Sequence, residues 1–135
     1  MAIDHVSLGV NDMAKAKAFY DAVLAPLGLA PVMPIEVSGA VVSVGYGDLN
    51  AGGAPTFWIQ LPVNRQPASL GNGVHVAFAA KTRAAVDAFY LAAMEAGAAD
   101  DGAPGPRHEY HPNYYGAFVR DPVGNKIEAV CHAAE

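Results

Sequence analysis

Four polar side chains, at matched places in the two halves of the chain, have the types needed to hold a divalent ion: His5 and Gln60, then His75 and Glu128. The matching rests on an internal echo. The stretch His5-Val6 … Ala14 … Ala18-Phe19-Tyr20 returns seventy residues later as His75-Val76 … Ala84 … Ala88-Phe89-Tyr90, six identities in sixteen aligned positions. Tandem modules related by pseudo-symmetry bring equivalent positions together, and two facing imidazoles begin a metal site. Each module adds a polar residue from its last strand, Gln60 matched to Glu128 at an offset of 68. Two histidines and one carboxylate that leave coordination positions open form the facial triad of non-haem Fe(II) enzymes; an added amide oxygen gives a four-ligand site for Zn, Ni, Co or Mn. A lone histidine reads more plainly as a hydrogen-bonded core residue, and it is the repetition that favours metal.

A second concentration of chemistry lies in Arg107-His108-Glu109-Tyr110-His111-Pro112-Asn113-Tyr114-Tyr115, a loop rich in proton donors and acceptors. Here His111 and Tyr115 are the acid–base candidates, with His108 and Tyr114 as pocket-lining groups. The plainer alternative is a polar surface loop whose tyrosine hydroxyls sit in water. Strand alternation places Trp58 on the face of Gln60, which makes it a candidate apolar wall of the pocket. Tyr20 and Tyr90 fall on apolar helix stripes and read as core.

The elements that must position these groups follow from periodicity. Ile3 to Val10 alternates as a strand, with His5 opposite the face of Val6, Leu8 and Val10. Asn11 or Asp12 caps a helix whose apolar positions Phe19, Tyr20, Val23, Leu24 and Leu27 recur at three- and four-residue steps. β-prone runs follow at Leu29–Met33, Val37–Tyr46 and Pro55–Leu61, separated by glycine-containing punctuation. Residues 63–73 read as a linker between module one (1–62) and module two (74–135), the whole forming a single domain over 1–135. The second copy opens at Val74 and repeats the order: strand His75–Ala80, helix cap Thr82, and the stripe Val86, Phe89, Tyr90, Ala93, Met94. Irregular chain is expected from Asp100 to Asn113. Strands Tyr115–Arg120 and Lys126–Cys131 then close the module across Asp121-Pro122-Val123-Gly124-Asn125.

Composition excludes several classes. With 53% hydrophobic and 16% charged residues the chain has material for a substantial core. A net charge of −5, with eight scattered Lys and Arg, argues against nucleic acid or an anionic membrane as partner. Cys131 is the only cysteine, so no disulfide framework or multi-cysteine zinc site is available, and it reads as a small buried hydrophobe. The N-terminus lacks the pattern of a secretory signal and no apolar run is long enough to span a bilayer, so a cytoplasmic location is expected.

The βαβββ duplication, the two His-Val strand openings, the Ala-Phe-Tyr helix motifs and the closing Asp121-Pro122-x-Gly124-Asn125-x-Ile127-Glu128 together resemble the vicinal oxygen chelate superfamily, which includes glyoxalase I, extradiol dioxygenases, fosfomycin-modifying enzymes and bleomycin-binding proteins. The resemblance covers nearly the whole chain. It implies an α+β fold of two tandem βαβββ modules forming a curved mixed sheet around a central cleft, with His5, His75 and Glu128 as ligands and Gln60 where glyoxalase I places a glutamate. It also implies a homodimer and a small-molecule substrate with two neighbouring oxygens. The leading expectation is a glyoxalase-like, metal-dependent lyase or isomerase that stabilises an enediolate, with Glu128 both ligand and base. The alternatives are an Fe(II) extradiol-type dioxygenase and a metal-free binding protein of bleomycin-resistance type.

Overall fold

The computed structural model describes residues 2–135. Each half folds as one strand, one helix and three more strands. The first half comprises β1 (Val6–Gly9), α1 (Met13–Leu24), β2 (Leu29–Val37), β3 (Ala40–Asp48) and β4 (Pro55–Gln60). The second comprises β5 (Val76–Ala79), α2 (Arg83–Glu95), β6 (Ala99–Pro106), β7 (Tyr115–Arg120) and β8 (Lys126–Cys131). The strands form two separate four-stranded sheets, ordered β1-β4-β3-β2 and β5-β8-β7-β6. In each, the module's first strand pairs in parallel with its last, and the remaining pairs are antiparallel. The α+β duplication expected from the sequence is thus present.

Local chemistry explains most boundaries. Asp12 caps α1 by accepting from the Lys15 amide at 3.0 Å, and Thr82 caps α2 by accepting from the Ala85 amide at 3.1 Å. Ser38 and Gly39, at φ 52° and 81°, form the two-residue turn that joins β2 to β3. Positive φ at both central residues gives the twist a tight hairpin needs, which is why glycine suits this place.

One expectation fails. The segment from Asp100, read as irregular, opens as strand β6, and irregular chain begins only beyond Pro106. Its sequence Ala-Asp-Asp-Gly-Ala-Pro-Gly-Pro has no alternation and two prolines, yet the open edge of β7 offers hydrogen-bonding groups that recruit it. Prolines are tolerated because β6 is an edge strand, and the pairing slips twice, between Asp100 and Gly102 and between Gly102 and Gly105.

The core lies between the helices and the inner sheet faces. Phe19, Tyr20, Val23 and Leu24 of α1 and Val86, Phe89 and Ala93 of α2 are buried together with Phe57, Ile59, Ile127, Ala129 and Cys131. Tyr90 packs against this core while only partly buried. Phe57 and Phe78 meet edge to face at 4.9 Å, joining the two sheets' inner faces. The closing turn is fastened to module one. One oxygen of Asp121 accepts the amides of Val123, Gly124 and Asn125, each at 2.9 Å. Its other oxygen accepts the Tyr20 hydroxyl at 2.6 Å, and the Asn125 side-chain Nδ2 donates to the Gly9 carbonyl at 3.0 Å. A carboxylate buried without such donors would be costly, so these bonds let Asp121 tie the modules together. Among the described residues, no helix is long and apolar enough to cross a membrane.

Candidate functional site

Alternation along β8 divides its side chains between two environments. Ile127, Ala129 and Cys131 enter the core; Lys126, Glu128 and Val130 take the other face. Across the β7–β8 ladder Phe118 lies opposite Glu128 and Gly116 opposite Val130. Glu128 is only 1% exposed, so a charge there requires partners. It has two. His75, immediately before β5, places Nε2 3.1 Å from Glu128 Oε1, and Tyr114, immediately before β7, donates its hydroxyl to Oε2 at close range. Burial, and then that carboxylate, push the Tyr114 phenol well above its usual range. Gly116 makes the arrangement possible: a Cβ there would lie 2.9 Å from Glu128 Oε2 and 3.1 Å from Tyr114 Cε1.

An open cavity of about 650 Å³ adjoins this trio, and Arg107, Phe118 and Lys126 also line it. The Lys126 ammonium lies 4.9 Å and the Arg107 guanidinium carbon 5.8 Å from the Phe118 ring centre. Lys126 is also 3.7 Å from Asp101, which accepts a closer hydrogen bond from Arg120 at 2.9 Å.

The remaining sequence candidates lie elsewhere. The exposed His5 has Nδ1 2.6 Å from the Asp4 carboxylate, and Gln60 is half-buried at the end of β4. Neither lines the cavity of His75 and Glu128. Among the described residues, no three His, Cys, Asp or Glu side chains are grouped to hold a metal.

The hydrogen-bond register also revises the matching of Gln60 to Glu128. Val6 pairs with Phe57 and Val76 with Ile127, so under the seventy-residue repeat Trp58 stands where Glu128 stands, and Gln60 stands where Val130 does. A two-residue slip preserves the face, which is why alternation alone does not detect it. Trp58 lies over Gly45, where a Cβ would meet its indole at 2.8 Å. It does not line the cavity of Glu128.

In the 107–115 loop the structure distinguishes two adjacent tyrosines. Tyr114 reaches Glu128, whereas Tyr115 donates to Asp87 of α2 at 2.7 Å with Arg83 over its ring at 5.0 Å. Tyr115 pairs with core-facing Cys131, which directs it to the helix side of the sheet. The Asp87 hydrogen bond, followed by burial, raises its pKa, and Arg83 opposes the shift. His111 accepts the Asn113 amide on Nδ1 at 3.1 Å and sits 5.6 Å from the His132 ring, itself 5.1 Å from Tyr114. His108 is exposed in the turn after β6, outside the cavity. Residue type alone does not mark Arg107, Phe118 or Lys126 as site residues. Lys126 shares the face of Glu128 by alternation, but the other two enter the site only through cross-strand pairing and the path of the loop.

One family model, that of the Glyoxalase/Bleomycin resistance protein/Dioxygenase superfamily, matches residues 2–129. The chain belongs to the Glyoxalase/Bleomycin resistance protein/Dioxygenase superfamily. A solved superfamily structure, a glyoxalase/bleomycin resistance protein from Albidiferax ferrireducens T118, is 37% identical, covers 97% of this chain and 98% of its own, and has a TM-score of 0.81. A lactoylglutathione lyase from Agrobacterium tumefaciens is 22% identical over 96% of this chain and 92% of its own, with a TM-score of 0.63. TioX from Micromonospora sp. ML1 is 17% identical over 97% and 96%, with a TM-score of 0.65. The last two likenesses concern the fold alone. No curated protein sequence matches the chain.

Proposed function

We propose that this superfamily member is a glyoxalase-like, metal-dependent enzyme of lyase or isomerase type, acting on a small molecule with two neighbouring oxygens. The observation that carries the reading is the buried Glu128 carboxylate held between His75 and Tyr114 at the wall of an open cavity. His75 Nε2 and Glu128 Oε1, 3.1 Å apart, are donors of the right chemistry to hold one divalent ion. The third donor comes from a second copy of the chain. Its His5 is exposed and bound through Nδ1 to Asp4, an orientation that leaves Nε2 for a metal. The set His5, His75 and Glu128 then fits Zn, Ni, Co, Mn or Fe(II), and the bound ion supplies Lewis-acid polarisation of the substrate oxygens. Glu128 accepts the proton from the substrate carbon, and Tyr114 fixes the carboxylate's orientation through Oε2.

Metal analysis of protein purified without chelators tests this, followed by screening of methylglyoxal hemithioacetals against catechols. Expected are a stoichiometric ion, lost in His75→Ala, and turnover of a hemithioacetal. Oxygen uptake with catechols, confined to anaerobically Fe(II)-loaded protein, would replace the isomerase with a dioxygenase. A second reading, metal-free binding of a small molecule, is favoured by Trp58, an indole where the repeat puts Glu128 in module two. Unchanged ligand affinity in a His5→Ala, His75→Ala double variant would establish it over both enzymes.

A further inference from the structure

We propose that Arg107, assisted by Lys126, binds a carboxylate of the substrate, so that the cavity selects small organic monoanions such as 2-hydroxy and 2-oxo acids. This rests on the reading of the same cavity as the substrate site. Arg107 is prepared for such a role by its surroundings. Nη1 donates to the Gly105 carbonyl at 2.9 Å and the Pro106 carbonyl at 3.4 Å, while Nη2 donates to the Ala103 carbonyl at 2.8 Å. These bonds fix the guanidinium plane but neutralise none of its charge. Three of its five N–H groups are engaged, leaving two to meet the two oxygens of a carboxylate. Among the described residues no carboxylate lies within ion-pairing distance of it, in contrast to Arg120 and Lys126, which both reach Asp101.

The local sequence leaves space for this group. Gly102 and Gly105 pass beneath the guanidinium, and a Cβ on either would approach its nitrogens to 3.4 and 3.2 Å. Phe118 supplies an aromatic surface beside both Arg107 and Lys126, with the two cations 5.8 and 4.9 Å from its ring centre. The charge inventory sets the ligand's charge. Asp101, Glu109 and Glu128 line the cavity beside Arg107 and Lys126, so one negative charge on the ligand can be met by the Arg107 fork, while the second charge of a phosphate monoester is opposed by carboxylates that outnumber the two cations. The site is also coupled to the reactive groups. The Arg107 amide donates to the Tyr114 carbonyl at 2.8 Å, so the loop that presents the guanidinium also presents the tyrosine that holds Glu128.

The test uses the full chain and three probes of similar size: mandelate, its neutral analogue mandelamide, and benzyl phosphate. Binding is followed by calorimetry and by the Arg107 Nε–H resonance, assigned with Arg107→Lys. Mandelate is expected to bind at least about ten-fold more tightly than mandelamide and to move that resonance, the amide leaving it in place. In Arg107→Gln the acid and amide are expected to bind within about three-fold of each other, with Arg107→Lys intermediate because it keeps charge without the fork. Equal binding of acid and amide by the native protein, an unmoved Arg107 resonance, or a preference that survives Arg107→Gln overturns the proposal. Tighter binding of benzyl phosphate than of mandelate overturns the monoanion assignment. Running the titrations on chelator-treated protein as well separates this inference from the functional reading. An acid preference in a protein that never holds stoichiometric metal leaves the anion site standing and removes the metal enzyme. A metal-loaded, active enzyme that ignores the ligand's charge does the reverse.

Discussion

Module one and module two share a backbone plan, yet their outward sheet faces do different things. In module two the register positions opposite each other on β7 and β8 hold Phe118 and Glu128; in module one the equivalent positions on β3 and β4 hold Gly45 and Trp58. The aromatic ring has changed strands, and where module two keeps a carboxylate module one keeps an indole. His75 is bound to buried Glu128, whereas His5 is held by exposed Asp4. The two modules therefore share what the core requires, the helix stripes and inward strand residues, while their opposite faces carry different residues. The lesson is that a repeat can conserve a pair of histidines while only one acquires a built acid–base environment.

The strongest way to break this comparison is to remove the carboxylate. If Glu128 is the base of the proposed function, Glu128→Gln, which keeps the volume, reduces turnover by about 10²–10⁴-fold, the range for loss of a positioned base. Steady-state kinetics measures it, and a loss below about three-fold would mean that module two's face is no more chemical than module one's. Paired glycine substitutions sharpen the same point. Gly116→Ala drives a methyl into Glu128 and Tyr114 and should lower turnover by about 10²-fold through misplacement, while Gly45→Ala drives one into Trp58 and Pro55 and should instead cost about 1–3 kcal/mol of stability. Kinetics and urea unfolding on both variants separate the two effects. Equal kinetic losses would show that Trp58 belongs to the reactive site after all.

Two further variants act on the relation between modules. Tyr20→Phe leaves buried Asp121 short of its cross-module donor and is expected to destabilise the fold by about 1–3 kcal/mol, read from the urea midpoint. Turnover at temperatures where the variant is folded should be unaffected. Trp58→Glu gives module one the carboxylate that module two has at that register, and should tighten the proposed metal binding by about ten-fold, or about 1.4 kcal/mol. Competition with a chelating dye measures this, and weaker binding would place Trp58 away from the proposed shared site.

Much of this was legible in the sequence because helices and half-buried strands write their periods into residue order. The repeat, a first-helix cap at Asn11 or Asp12, Thr82 as the second cap, and β7 and β8 are all visible without coordinates, and the structure selects Asp12. The strand β6 was hidden, since its pairing is imposed by the edge of β7 and not by its own residues. Register was hidden for a different reason. Gln60 and Trp58 share a face, so only hydrogen bonding to β1 reveals which of them matches Glu128. The two tyrosines exchange the parts their sequence suggests: Tyr115, the acid–base candidate, reaches Asp87, and Tyr114, the pocket-lining candidate, reaches Glu128, because which phenol meets Glu128 depends on the residue at which β7 begins. Arg107 was not recognisable by type at all: its value lies in three backbone carbonyls and two glycines that fix it.

A last effect appears only in alkali, and it tests whether the stitched interior joins the modules as a single unit. Burial, with Asp121 beside it, raises the Tyr20 phenol, and burial with Asp21 beside it raises Tyr46. Both are therefore protonated in the folded chain at pH values where the unfolded chain has ionised them. Above the unfolded value of about 10 the native state holds more protons than the unfolded state, so stability falls as pH rises, by up to about 1.4 kcal/mol per pH unit for each phenol. Below that value the contribution is constant. Urea midpoints measured between pH 8 and about 11 should be flat at first and then decline, and Tyr20→Phe, less stable at neutral pH, should show a shallower decline. An unchanged slope in that variant would mean that Tyr20 ionises as freely in the folded protein as in the unfolded chain, and that its bond to Asp121 does not hold the two modules together.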